Sequence, residues 1–250
     1  MKIFMGIVTI ILVILLSGSM LQAQNPSGKV ILEEIDQNIS SKNRVFTSKM
    51  VIHGRRGSRS IESKSWAEGE KRAFTEYLAP AREKGTKMLK LEDRLWMYSP
   101  STDRIIQISG HMLRQSVMGS DLSYEDMMED QKLAHHYEAE VTGTETIDGR
   151  SCWVLALTAK TLGLAYYSRK LWVDQSRSIP LKEELFAKSG KLLKNADLKD
   201  VTRTQGRWFP KRIIFRDMLK KGNGTEFIIE TIQFDQDIPD HIFSKAALRK

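Results

Sequence analysis

The sequence has one cysteine, Cys152, among its 250 residues. No internal disulfide is available, so stability must come from packing. With no cysteine pair and no H-E-x-x-H, the familiar zinc spacings are missing too. The histidines (His53, His111, His135, His136, His241) are scattered. His135 and His136 would face opposite sides in a strand. No G-x-S-x-G elbow is present, so a serine hydrolase would lack its recognisable nucleophile turn. Beyond the first two dozen residues, no apolar run reaches the roughly 20 residues that span a bilayer. Internal repeats, low-complexity linkers and a clear domain boundary are also lacking. These absences point away from metal and Ser-His-Asp chemistry. They call for no cofactor and favour one continuous domain over residues 24–250.

What is present begins with a leader. Met1-Lys2 is followed by "IFMGIVTIILVILLSG" and then "SGSMLQAQ". One positive charge, a short apolar core and small residues before Ala23 read as a secretory signal peptide over 1–23. The alternative is an uncleaved membrane anchor, because Leu21 fits poorly three residues before the cut. No cysteine lies near the cut, so the chain is not itself read as lipidated. The net charge is +8 at pH 7. A basic exported chain suits transient contact with an anionic membrane surface, where each Lys or Arg contributes about 1 kcal/mol. A merely solvated basic face is the other reading. Nucleic acid is disfavoured by export, and the densest basic stretch, "HGRRGSRS", holds only three arginines.

Ser27 followed by "GKVILEEIDQNIS" predicts an amphipathic helix, with Ile31, Ile35 and Ile39 one turn apart. From there the period shortens. "RVFTSKMVIHG", "SRSIESKSWAEG", "KRAFTEYLAP", "TKMLKLEDRLWMYSP" and "STDRIIQIS" read as strands punctuated by Gly, Pro and a Ser-Pro-Ser-Thr-Asp turn. Residues 111–134 interrupt them with Met-rich, helix-like sequence. Strands then resume, with Asp148-Gly149 as a hairpin turn, and continue at intervals of roughly a dozen residues to "GTEFIIETIQFDQD". "IPDHIFSKAALRK" reads as a short closing helix. Several strands are apolar on both faces: Trp96 and Tyr98 against Leu95 and Met97, Trp153, Leu155 and Leu157 against Val154 and Ala156, and Phe227 and Ile229 against Ile228, Ile232 and Phe234. Such a sheet needs cover on both sides, or has one packed face and one facing a cavity. Alternation leaves open which face that is.

"MGSDLSYEDMMEDQK", residues 118–132, collects serines, a tyrosine and a run of acids. On a helix Asp121, Glu125 and Glu129 would stack on one face, with Asp126 and Asp130 beside them. That stripe is either a solvated face or a place for a divalent ion. A local account is simpler. Gly119 permits a turn, Ser120 or Asp121 can cap a helix, and Ser123 with Asp126 matches a capping box.

The ordered series Pro80, Lys84-Gly85-Thr86, Trp96-x-Tyr98-x-Pro100, Arg104, Met118-Gly119-Ser120-Asp121, Tyr124-x-Asp126, Asp148-Gly149 with Cys152, Leu171-Trp172-Val173-Asp174, "WFPKRI" and "IPDHIFSKAAL" resembles the outer-membrane lipoprotein-sorting proteins, relatives of the periplasmic carrier LolA. The resemblance covers most of the chain beyond the leader. It implies a mainly β, curved, half-open antiparallel barrel whose apolar concave face is lidded by helices. It also implies a non-enzymatic periplasmic carrier of lipid or lipoprotein acyl chains, in some members working with an inner-membrane lipid transporter. A lipid- or protein-sensing adaptor of the same fold is the alternative. On this reading Trp66, Trp96, Tyr98, Trp153 and Trp172 are the expected cavity or core aromatics. Met112, Leu113, Met118 and Met127, flexible and polarisable or branched, are the expected lid residues.

Overall fold

The computed structural model describes residues 26–129 and 132–249. The leader read over 1–23 lies outside the described residues. Helix α1 (Gly28–Ile39) comes first, followed by strands β1 (Asn43–Gly54), β2 (Gly57–Glu68), β3 (Arg72–Ala79), β4 (Lys87–Leu91), β5 (Arg94–Ser99) and β6 (Arg104–Ile108). Two 3-10 turns, Gly110–Arg114 and Val117–Gly119, lead to short helices α2 (Tyr124–Met128) and α3 (Leu133–His136). Seven more strands follow: β7 (Tyr137–Ile147), β8 (Arg150–Ala159), β9 (Ser168–Asp174), β10 (Ile179–Phe186), β11 (Leu192–Thr204), β12 (Arg207–Asp217) and β13 (Thr225–Phe234).

The thirteen strands form one curved, open antiparallel sheet in the order β6-β5-β4-β3-β2-β1-β13-β12-β11-β10-β9-β8-β7. It consists of two meanders, β1–β6 and β7–β13, zipped together where β1 pairs with β13. This topology has a direct consequence. The chain leaves the sheet at one edge, β6, and must re-enter it at the opposite edge, β7. The described residues of that connection, 109–129 and 132–136, therefore cross the open side of the curve.

Local chemistry explains the elements. The Ser27 hydroxyl accepts from the Val30 N–H at 3.3 Å and starts α1, as an N-cap serine should. Ile31, Leu32 and Ile35 are buried, and pack on Leu155, Leu157, Leu171 and Val173 of β8 and β9. Gly28 is needed for that seat, since a Cβ there would lie 2.4 Å from the Ala139 carbonyl oxygen of β7. Asp36 of α1 accepts from the Leu133 and Ala134 N–H groups at 3.0 and 3.1 Å, so α1 also caps the start of α3. At Asp148-Gly149 the chain turns between β7 and β8 with positive φ at both residues.

The sheet is apolar on both faces, as the strands predicted. Leu95, with Met97 against it, joins Met50, Ile61 and Tyr77 on the concave side. Trp96, with Tyr98 against it, joins Phe74, Leu89, Phe243 and Leu248 on the convex side. The tail that covers this second cluster is two 3-10 turns, Asp240–Phe243 and Lys245–Arg249, rather than one helix. Extended backbone at Ser244 separates them. The segment over 111–134 is likewise less helical than its composition predicts. Met118 at φ +50° and Gly119 at φ +71° break the chain before α2, and Glu129 is already extended after it. The expected acidic stripe Asp121–Glu125–Glu129 therefore never forms on one helix.

Candidate functional site

Between the concave face and the crossing segment lies a cavity of about 440 Å³, within the roughly 300–1,000 Å³ of small-molecule sites. Its floor is apolar: Phe46 and Met50 on β1, Phe227 and Ile229 on β13, Ile213 and Phe215 on β12. The room comes from β2 and β3, where Ser63, Ser65, Ala67, Ala73 and Thr75 form a run of small inward residues beside Ile61 and Tyr77. The hydroxyls are satisfied within the wall, Ser48 with Ser63 at 3.0 Å and Ser65 with Thr75 at 2.8 Å. What these strands offer inward is therefore largely hydrocarbon. Two leucines and a methionine of the crossing segment and α3, Leu122, Met127 and Leu133, close the other side.

One end of the cavity is polar and internally paired. Asp126 accepts from the Tyr166 hydroxyl and from the Lys194 ammonium. It also accepts from the Ser123 N–H at 2.6 Å and the Ser123 hydroxyl at 2.9 Å. Arg169 of β9 pairs with Glu129 and lies 3.9 Å from Glu183 of β10. Its guanidinium lies over the rings of Tyr137 and Tyr166. Burial, then the Asp126 carboxylate, pushes the Tyr166 phenol well up, so it stays a donor. Burial also pushes the Glu183 carboxyl up, against the pull of Arg169. At the other end stands Arg44, on the inner row of β1.

The serines and acids of 118–132 build structure at this point of the chain. The Ser120 hydroxyl accepts from the Leu122 N–H at 3.1 Å and donates to the Leu122 carbonyl at 3.3 Å. Asp121 accepts from the Thr225 hydroxyl at 2.6 Å and the Asp217 N–H at 3.0 Å, pinning the segment to β12 and β13. Ser123 and Asp126 form the expected capping box. Among the described residues, no cluster of His, Cys, Asp and Glu could hold a metal ion.

A family model described as "Uncharacterized protein" matches residues 69–250. The fold matches a LolA superfamily protein from Nitrosomonas europaea, with TM-score 0.75 and 25% identity over 89% of this chain and 99% of that one. It also matches a DUF1329 family protein from Desulfovibrio piger, with TM-score 0.81 and 23% identity over 88% and 97%. A domain described as an outer membrane lipoprotein-sorting protein, from Vibrio parahaemolyticus, matches with TM-score 0.79 and 20% identity over 89% and 98%. The chain belongs to the family of that model, described as "Uncharacterized protein", and its fold is LolA-like. No curated protein matches it by sequence.

In this LolA-like chain the residues expected at the site are dispersed. Met127 lines the cavity. Met112, Leu113 and Met118 pack on the concave cluster around Met50 and Ile61. Trp66 borders the cavity, but its ring centroid is 5.8 Å from that of Phe74 in the convex cluster. Trp96 and Tyr98 lie under the tail, away from the cavity. Trp153 packs beside the residues under α1. Trp172 is on the convex face with Cys152 and Val154, its indole N–H donating to Glu145 at 2.7 Å. None of Trp96, Tyr98, Trp153 and Trp172 lines the cavity: Trp96, Tyr98 and Trp172 are on the other face of the sheet, whereas Trp153 shares the face of Leu155, Leu171 and Arg169 but packs in the cluster under α1. The residues missed were Arg44, Tyr166, Arg169, Glu183 and Lys194. One signal was available, the small alternating Ser63-x-Ser65-x-Ala67, whose side chains line the cavity.

Proposed function

We propose that this protein is a periplasmic carrier that buries an acyl chain of a lipid or lipoprotein in the LolA-like cavity. The half-open, largely apolar cavity carries the reading. An acyl chain in water costs about 0.8 kcal/mol per CH₂, and the floor of β1, β12 and β13 replaces that water. The crossing segment acts as the lid, because among the described residues it is the part that the strand order obliges to span the mouth. Loading and delivery bring the protein against membrane surfaces, with an inner-membrane lipid transporter as the partner class. Protein taken from its own periplasm should carry lipid visible by native mass spectrometry. Once delipidated, it should take up a fluorescent fatty acid, and Ser65→Trp, which fills the roomy wall, should weaken uptake by tenfold or more with an unchanged circular dichroism spectrum. The carrier reading is abandoned if delipidated wild-type protein takes up no lipid or acylated peptide, or if Ser65→Trp binds as the wild type does.

A further inference from the structure

We propose that the acyl chain held in the cavity bears an acid, a carboxylate or a phosphate, and that Arg44 binds it. This rests on the cavity being the acyl site. Arg44 lines the cavity, and its Nη1 is buried without a hydrogen-bond partner. Among the described residues its side chain makes no hydrogen bond, and no carboxylate lies within 4.0 Å of it. The other two cavity cations, Arg169 and Lys194, each pair with a carboxylate, although the Arg169 Nε is also buried without a hydrogen-bond partner. Burial pushes the Arg44 guanidinium below its usual range, and the more distant Glu70 offsets this only in part.

A guanidinium has five donors fixed in a plane; Arg44 is half-buried, and leaving the buried Nη1 unpaired is costly. The strand register shows where a partner would sit. Arg44 is opposite Ala67 of β2, and Ala67 is opposite Ala73 of β3. Two alanines side by side leave the space beside the guanidinium open, and neither can satisfy it. A carboxylate or phosphate placed there would accept two parallel N–H bonds. From that point the inner row of β1 runs from Arg44 to Phe46 and Met50, with Ile232, Ile229 and Phe227 alongside on β13. An acid at Arg44 would thus place its tail along the apolar floor.

The test compares binding of hexadecanoate, hexadecyl phosphate and the neutral hexadecanol to delipidated protein. The acids should bind wild type about 10- to 100-fold more tightly than the alcohol, the range expected of charge-assisted hydrogen bonds. The ratio between the two acids tells carboxylate from phosphate. Arg44→Met should bring both acids down to the alcohol's affinity and leave the alcohol unchanged. On the wild type itself, ¹³C-carboxyl hexadecanoate should titrate at lower pH when bound than when free in solution. The assignment is overturned if hexadecanol binds as tightly as the acids, if Arg44→Met keeps the acid preference, or if the bound carboxyl titrates upward. If none of the three ligands binds, the assignment falls, and the carrier reading falls with it once other lipids and acylated peptide are refused too; alcohol binding without acid preference overturns only the role of Arg44.

Discussion

Asp174, at the end of β9, is 1% exposed and surrounded by donors. Arg150 pairs with it, Arg177 donates at 2.7 Å, and the N–H and hydroxyl of Ser176 donate at 2.9 and 2.8 Å. Burial alone would push its carboxyl up, but the hydrogen bonds from Arg150, Ser176 and Arg177 outweigh it and hold the carboxyl well below the usual range. A depressed carboxyl contributes stability that is present above the unfolded value of about 3.9 and is lost as pH falls through the folded one. Asp174→Asn should therefore destabilise the protein by about 3 kcal/mol at pH 7 in urea unfolding, and the difference from wild type should shrink below about pH 4. A deficit that stays constant with pH would rule out the charged network as its source. Residues whose roles are local were legible in the sequence: Ser27 as a cap, Ser123 with Asp126 as a capping box, Asp148-Gly149 as a turn. Arg44, Tyr166, Arg169 and Lys194 were not, because strands far apart in sequence bring them to one cavity. The tryptophans drew attention by size, yet parity alone does not say which face of a strand looks inward.

At the scale of elements, the strand order makes the crossing segment mechanically distinct. Every strand is held by a neighbour's backbone, whereas the described residues of the crossing segment, 109–129 and 132–136, are held on the sheet largely by side chains. Asp126 and Glu129 reach Lys194 and Arg169 on the sheet, and Asp121 reaches Thr225. Segments with few backbone anchors open at lower free energy than the sheet beneath them. Lys194→Met removes one charged donor from Asp126 but leaves Tyr166 and Ser123 in place. It should lower the opening free energy of this segment by about 1–3 kcal/mol. Amide exchange over Tyr124–Met128 should then quicken by roughly tenfold or more, with the β1–β13 pairing unchanged. Equal acceleration in both regions would mean that Lys194 supports the whole fold and not the lid. Most of these elements could be read from period and turn residues. The short helices of the crossing segment could not, because Met118 and Gly119 break a composition that otherwise favours helix.

At the scale of the whole molecule, the charge of +8 has a place to act. The β1–β2 turn exposes Arg55 and Arg56. The β12–β13 connection lies beside it, with the His53 N–H donating to the Gly224 carbonyl at 3.0 Å and the Asn223 N–H to the His53 carbonyl at 3.3 Å. That connection carries Met218 and Leu219, 48% and 58% exposed, followed by Lys220 and Lys221. Arg59 bonds the Met118 carbonyl and Lys220 the Ser120 carbonyl, so this tip also touches the start of the crossing segment. Cations around two exposed apolar side chains match a surface of anionic lipid. Each cation near such a surface contributes about 1 kcal/mol, screened within a Debye length of about 10 Å at 0.1 M salt. Co-sedimentation with phosphatidylglycerol vesicles should therefore exceed that with phosphatidylcholine and fall steeply as salt rises. Replacing Arg55, Arg56 and Lys221 by Gln should remove most of the binding, while fatty-acid uptake in solution, which depends on the buried cavity, should stay intact. If the triple variant sedimented with anionic vesicles as the wild type does, the membrane contact would have to be sought elsewhere on the surface. Loss of fatty-acid uptake in the same variant would mean that the tip and the cavity are one site.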